Sequence, residues 1–258
     1  MDIKNTFIEK ICVDFKNNFS NHFDWNDIDI TYSRIDICDK VIHGVSSNYD
    51  WMLTYWGDDL DLLINERLTA GVQYWNNYSQ AHTDSLSKIN KNTVKLDFCN
   101  QYGNVFEITS INSNKQLSME DLLAIYSHRS SIADYIHATW EQNEEIVLPL
   151  RADIALPLGS LQTIGEQSSE SFDIQQYMRF GNIRFTREEV MTIRLLLSNC
   201  QISGISVIQG CSEDIENERI QKIKDKLDCP YATDNGLLNV LKEQGITLAC
   251  LETLVRYP

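Results

Sequence analysis

Cations are scarce in this chain. Of its 258 residues, 22 are Lys or Arg and 37 are Asp or Glu, a formal net charge of −15. A surface short of positive charge is poorly suited to a duplex, whose affinity for proteins comes largely from cations that displace counterions from phosphate. The shortage is uneven. From Met178 to Pro258 ten cations stand against eleven acids, so residues 1 to 177 hold the other twelve cations and twenty-six acids.

Other absences narrow the chemistry. The seven cysteines, at positions 12, 38, 99, 200, 211, 229 and 250, form no CxxC pair and no His/Cys cluster at zinc spacing. Their odd number argues against a disulfide framework, and they read as reduced thiols of a cytoplasmic protein. The five histidines, at 22, 43, 82, 128 and 137, are scattered with no HExxH, so no metal site is expected. There is no Gly-rich phosphate loop and no GxSxG elbow, and nothing in LDFCNQYG supports Cys99 as a nucleophile. No cofactor and no enzymatic activity are therefore expected. No apolar run approaches the length of a membrane span, and the opening MDIKNTFIEKICVDFK mixes acids and lysines among its apolar residues, unlike a signal or transit peptide. A membrane partner is not expected either. There is no internal repeat and no low-complexity tract.

What is present is ordinary globular composition, 43% hydrophobic and 23% charged, in a chain long enough for two modest domains. Phe7, Ile8, Ile11, Phe15 and Phe19 recur at spacings of three and four and predict an amphipathic helix. IDITYSRIDI alternates at Ile28, Ile30 and Tyr32, and with CDK and VIHGV predicts strand, turn, strand. Ser46, Ser47 and Asn48 offer caps for YDWMLTYWGDDLDLLINERLTAGVQYW, read as two or three short helices broken near Gly57 and Gly71. TVKLDF, a turn at NQYGN and VFEITSI predict an antiparallel hairpin. Ser118 then caps a long helix with Leu122, Ile125, Ile132, Ile136 and Trp140 on one face. Strands flanked by helices predict an α/β sensor-like or dimerising domain over residues 1–160. The polar SSES run and the prolines at 149 and 157 place a linker over 161–180.

From residue 181 the pattern changes to short, closely spaced helices. Thr186 with Glu189 forms a capping box, and Val190, Ile193, Leu196 and Leu197 share one face. Ile202, Ile205 and Ile208 make a short helix ended by Gly210, and Ser212 caps a third helix with an inward seam of Ile220, Ile223 and Leu227. A fourth begins near Thr233, with Leu237, Leu238 and Leu241 as a candidate dimer face. The fold class expected is a two-domain α+β chain, with an antiparallel sheet in the first domain and an all-α helix-turn-helix unit in the second.

FTREEVMTIRLLLSNCQISGISVIQGCSEDIENERIQKIKDKLDC resembles the DNA-binding domain of LuxR-type bacterial transcriptional regulators. Phe185-Thr186, Glu189, Leu195-Leu196, Ile205, Ser212, Ile220, Ile223 and Lys226-Leu227 match its pattern without a gap. Where the family has a Thr-Val pair and then a basic or polar residue early in the recognition helix, this sequence has Ile215, Glu216 and Asn217, and where the family has a Glu in the preceding helix it has Gly204. The resemblance implies double-stranded DNA as a partner, a homodimer, and contacts through Ser212, Asn217, Arg219, Lys222 and Lys226. Of these, Arg219 and Asn217 would read bases and Lys222 and Lys226 would meet phosphates. The departures favour an alternative, a regulator that has dropped DNA and acts through protein contact or mixed dimers. Such regulators pair this unit with a ligand domain, and GVSSNYDWMLTYWGDD is similar to the stretch of that domain in which a Trp and a Tyr four apart precede an acid. Trp51, Tyr55 and Asp58, with Trp75 downstream, would then bind a small molecule or protein ligand; the bland reading of the same aromatics is core packing.

Overall fold

The chain is an α+β structure in which every strand pairing among the described residues is antiparallel. The computed structural model describes residues 6–141, 147–154 and 177–248. These form two compact units, the first of residues 6–126, 136–141 and 147–154, the second of 127–135 and 177–248. Residues 161–176 of the expected linker and the segment after Leu248, with Cys250, lie outside the described residues, while Tyr177–Phe180 is a strand.

In the first unit α1 (Thr6–Asn18) buries Ile8, Ile11, Cys12 and Phe15, the face its spacing predicts. A hairpin of β1 (Ile28–Asp36) and β2 (Val41–Ser46) follows, then α2 (Tyr49–Gly57), whose cap is Asn48: its side-chain oxygen accepts from the Trp51 amide at 3.0 Å. A 3-10 helix covers Leu60–Arg67. The helical reading fails at the next step, where Gly71–Tyr74 is strand β3, paired with β4 from Cys99 to Leu96. Its backbone is satisfied by that ladder, and Val72 and Tyr74 stay half exposed on the sheet edge, which is why the aromatic spacing misled. A short 3-10 turn at Trp75–Asn77 and α3 (Gln80–Leu86) return the chain to β4 (Val94–Tyr102) and β5 (Val105–Ser113), with Gly103 at φ 57 in the tight turn between them. α4 (Met119–Glu141) and the short β6 (Leu148–Pro149) complete a six-stranded sheet of order β3-β4-β5-β1-β2-β6.

Both faces of this sheet are covered. On one, Tyr32 and His43 meet Trp140 at ring distances of 6.1 and 4.5 Å, and Phe98 meets Tyr126 at 5.1 Å. On the other, Ile35, Ile42, Cys99 and Ile108 pack with Ile64 and Leu148. All nine residues of β5 are buried, so the polar positions of the alternating strands are inside as well as the apolar ones.

The second unit opens with a hairpin of β7 (Tyr177–Phe180) and β8 (Ile183–Thr186) that leads directly into α5 (Arg187–Leu197). Both halves of the expected capping box form: the Glu189 amide donates to Thr186 Oγ1 at 3.2 Å and the Thr186 amide to Glu189 Oε2 at 2.7 Å. α6 (Ile202–Gln209) ends at Gly210, φ 67, and the Cys211 amide donates back to the Ser206 carbonyl at 3.0 Å, the wrap that lets a left-handed glycine close a helix. α7 (Glu213–Lys226) starts on Ser212, whose hydroxyl accepts from the Ile215 amide at 3.3 Å, and α8 (Asp234–Glu243) starts on Thr233. Phe185, Ile193, Ile205, Ile223, Leu241 and Ile246 are fully buried at the centre.

Three apolar expectations need correction here. Leu237 and Leu241 face this core, which removes them from a dimer surface, while Leu238 is half-buried beside an open groove of about 470 Å³. Ile208 does not join Ile205 inside: a three-residue spacing drifts by about 60° from the helical repeat at each step, about 120° from Ile202 to Ile208, and Ile208 is left exposed. Leu196 and Leu197 are half-buried rather than buried, at the end of α5.

Candidate functional site

Two places carry the residues singled out by the sequence. The first lies on the sheet face covered by α2 and the following 3-10 helix. Trp51, Tyr55 and Trp75 come together, with Trp51 against Tyr55 at 6.1 Å and against Trp75 at 5.4 Å, edge-on. Asp58 does not join them: it accepts from Ser85 Oγ at 2.5 Å and pairs with Lys88 at 2.6 Å, and the Lys88 and Ser85 hydrogen bonds hold its carboxyl below the usual range. The carboxylate among the aromatics is Asp97, which sequence reasoning missed.

Asp97 is wholly buried on β4 and every one of its strong acceptor directions is used. Arg67 donates through Nε to Oδ2 at 2.7 Å and through Nη2 to Oδ1 at 3.2 Å. Trp75 Nε1 donates to Oδ1 at 3.0 Å and the Tyr78 hydroxyl to Oδ2 at 3.2 Å. Arg67 is shared onward, with Ser110 Oγ at 2.8 Å and the Tyr55 hydroxyl at 3.0 Å. Burial alone would raise the Asp97 carboxyl, but the charge and hydrogen bonds of Arg67 hold it below its ordinary value. Two residues along the same strand face, Lys95 sits over the rings of Trp51 and Trp75 at 4.1 and 4.2 Å and donates to Asn112 Oδ1. Burial pulls the Lys95 ammonium well below its usual range, and Asp97 opposes that shift. Asp29, in the same buried layer, pairs with Lys91 at 3.0 Å and accepts from Asn48 Nδ2 at 2.9 Å, which ties the cap of α2 to the sheet.

In this arrangement Arg67 and Asp97 hold each other, and the rings of Trp51 and Trp75 close over Lys95. The Asp97 carboxyl is held below its ordinary value, and the Cys99 thiol behind it is raised by burial to about 12, far from a thiolate. Beside Arg67 and Ser110 lies a small cavity bounded by Thr31, Ser33, Ile42, Trp56 and Ile64, with about 20 Å³ of free space. That is room for roughly one water molecule. The pocket is filled by its own side chains, and a larger ligand would displace them. The signal available in the sequence was the pair Lys95 and Asp97, two charges two apart on one face of a strand that is otherwise apolar.

The second place is α7. Ser212, Asn217 and Lys222 lie exposed, but the other two expected contact residues are engaged inside the unit. Arg219 pairs with Glu216, and Lys226 pairs with Glu189 at 2.6 Å. Glu216 is fully buried: it accepts from Thr192 Oγ1 at 2.5 Å and from Gln209 Nε2 at 3.3 Å, and so links α5, α6 and α7 through one carboxylate. The outward side of α7 therefore carries Glu213, Asp214, Glu218 and Asp225 against Lys222, with Lys224 half-buried and 3.6 Å from Asp234.

No protein-family model matches the chain, and no curated protein does. Among solved structures, a crystal structure of Escherichia coli SdiA in space group P6522 is similar at 11% identity and a TM-score of 0.34, over 96% of this chain and 92% of that one. SdiA in complex with octanoyl-rac-glycerol is similar at 11% identity and a TM-score of 0.36, over 93% of this chain and 89% of that one. Among the described residues, no helix is long and apolar enough to cross a membrane.

Proposed function

We propose that this chain is a LuxR-type transcriptional regulator, with a ligand-sensing unit over residues 1–160 and a helix-turn-helix unit from about residue 181. The observation that carries the reading is the α5–α7 arrangement: a capping box at Thr186, a left-handed stop at Gly210, a fresh cap at Ser212 and a seam of Ile205, Ile220 and Ile223. Apart from Gly210, these are positions at which the sequence matches the family pattern. In the sensing unit, the convergence of Trp51, Tyr55 and Trp75 beside a cavity supports a small apolar or weakly polar ligand, because the charges there are already paired. Ligand entry would shift a population between the closed pocket and an opened one, changing what the helical unit presents or whether it forms a homodimer.

Double-stranded DNA is the partner the family pattern implies for α7. A second reading has its own observation. With Arg219 and Lys226 tied to Glu216 and Glu189, the exposed face of α7 is acidic, which favours a helical unit that acts through protein contact. Retention of the full chain on duplex fragments across a salt series separates the two. Salt-sensitive retention that weakens in Lys222→Ala supports DNA reading, whereas no retention even at low salt supports protein contact. Lys222 is the informative position, because replacing Arg219 or Lys226 would also unpair a carboxylate. For the sensing unit, a change in thermal stability on titration with neutral amphipathic compounds, abolished by Trp56→Ala, is the expected result; no change across such a panel would count against it.

A further inference from the structure

In residues 177–248 the large apolar side chains that remain exposed are Val207, Ile208, Ile215 and Tyr231, and three of the four flank one turn. Val207, 80% exposed, and Ile208, 58%, close α6, and Ile215, 50%, opens α7. The core does not need them, since Ile205, Ile220 and Ile223 fill it. The charges beside them have one sign: Glu213, Asp214 and Glu218 are exposed, while the neighbouring Arg219 is turned onto buried Glu216.

We propose that this α6–α7 surface docks a protein partner presenting an amphipathic helix, with apolar anchors for Val207, Ile208 and Ile215 and flanking lysines or arginines for the three acids. Apolar anchors inside a ring of complementary charge are the usual anatomy of a helix-recognition surface. Phosphates would meet like charge at Glu213 and Asp214. A second copy of the chain is disfavoured for the same reason, because a two-fold contact through this patch brings identical acids together.

The inference rests on the protein-contact reading above. Its test uses the full chain and a labelled synthetic helical peptide with leucines at i, i+4 and i+7 and lysines between them. Saturable binding is expected, weakened about tenfold or more by Ile215→Asp or Val207→Asp, weakened by Glu218→Lys and by added salt, and unchanged in Lys222→Ala. The same peptide with glutamates in place of lysines should not bind. Because the substituted residues are exposed, circular dichroism and melting should match the parent, and Glu218→Lys keeps the test open if an apolar variant misfolds. Equal affinity in all three variants overturns the proposal, as does a concentration-dependent dimer of the free chain that Val207→Asp dissociates. If duplex DNA is retained and displaces the peptide, the protein-contact reading itself fails. If neither peptide nor duplex binds, only this inference does.

Discussion

Each unit holds a fully buried carboxylate that gathers several partners and is paired with an arginine, Asp97 with Arg67 and Glu216 with Arg219, and these two pairs are built differently. In the first unit Asp97 and Arg67 are both inside, with side-chain exposures of 0% and 4%, and four further residues, Tyr55, Trp75, Tyr78 and Ser110, close round them. In the helical unit Glu216 is inside at 0%, but Arg219 is 18% exposed and reaches it from the surface of the same helix, three residues on. The first pair is a fixed centre between a strand and the helix laid over it. The second is a stopper: it fills the middle of three helices with a carboxylate and draws a cation off the outer face. Burying charge in both places costs desolvation, yet only the second choice alters what the molecule shows to a partner.

The comparison can be broken first at Asp97. Asp97→Ala leaves Arg67 buried without its counter-charge and should destabilise the chain by about 3–5 kcal/mol in urea unfolding, whereas Arg67→Met with Asp97→Leu should lose much less. Acid gives the next largest effect. His82 is fully buried against Trp75, and burial first, then the charge of Arg67, lowers its imidazole to about 4. Because the folded state then holds this proton less tightly than the unfolded chain, its contribution to stability is complete above pH 6.5, the unfolded value, and is lost as pH falls toward 4, by about 3 kcal/mol in all. Asp97 adds its own loss only at lower pH, since its carboxyl lies below the ordinary value of 3.8. Residues 177–258 contain no histidine, so pH-dependent unfolding followed locally should show the surroundings of His82 yielding before α5–α8.

A sharper cut is Glu216→Val, which takes the buried carboxylate out of the centre of the three helices. Thr192 and Gln209 keep each other at 2.8 Å, and Arg219 is released to solvent. Stability should change by about 1–3 kcal/mol, and weak, salt-sensitive retention on duplex DNA should appear or rise severalfold. Retention unchanged from the parent would mean that Glu216 does not govern the outer charge. The smallest effect is Ser212→Ala, about 1 kcal/mol from the lost cap, with Lys222→Ala as a control near zero.

Local signals were legible in the sequence because their physics is local. The Thr186–Glu189 box, the Ser212 and Asn48 caps, the left-handed Gly210 and the two long hairpins are each decided within a few residues. The polar interior was not legible. Alternation in TVKLDFC and IDITYSRID suggests that Lys95, Asp97 and Asp29 face water, and only the helices laid over that face turn them inward. The same blindness hid Glu216: with Glu213, Asp214 and Glu218 it reads as one acidic surface, although its partners Thr192 and Gln209 lie 24 and 7 residues away. Trp51, Tyr55 and Trp75 were found as a group, but the acid assigned to them was the nearest in sequence, Asp58, rather than the one across the sheet. Edge strand β3 was missed because four residues, GVQY, that open on a glycine carry no period long enough to tell strand from helix.

The stacking of Lys95 between Trp51 and Trp75 has an optical consequence. All five tryptophans, at 25, 51, 56, 75 and 140, lie outside residues 177–258. Indole emission is therefore a channel that the first unit owns among the described residues, and two of its fluorophores touch one amine at about 4 Å. Anything that slides between those rings, or changes the protonation of that amine, would alter brightness and colour without a dye, while events confined to α5–α8 would stay dark in the same channel.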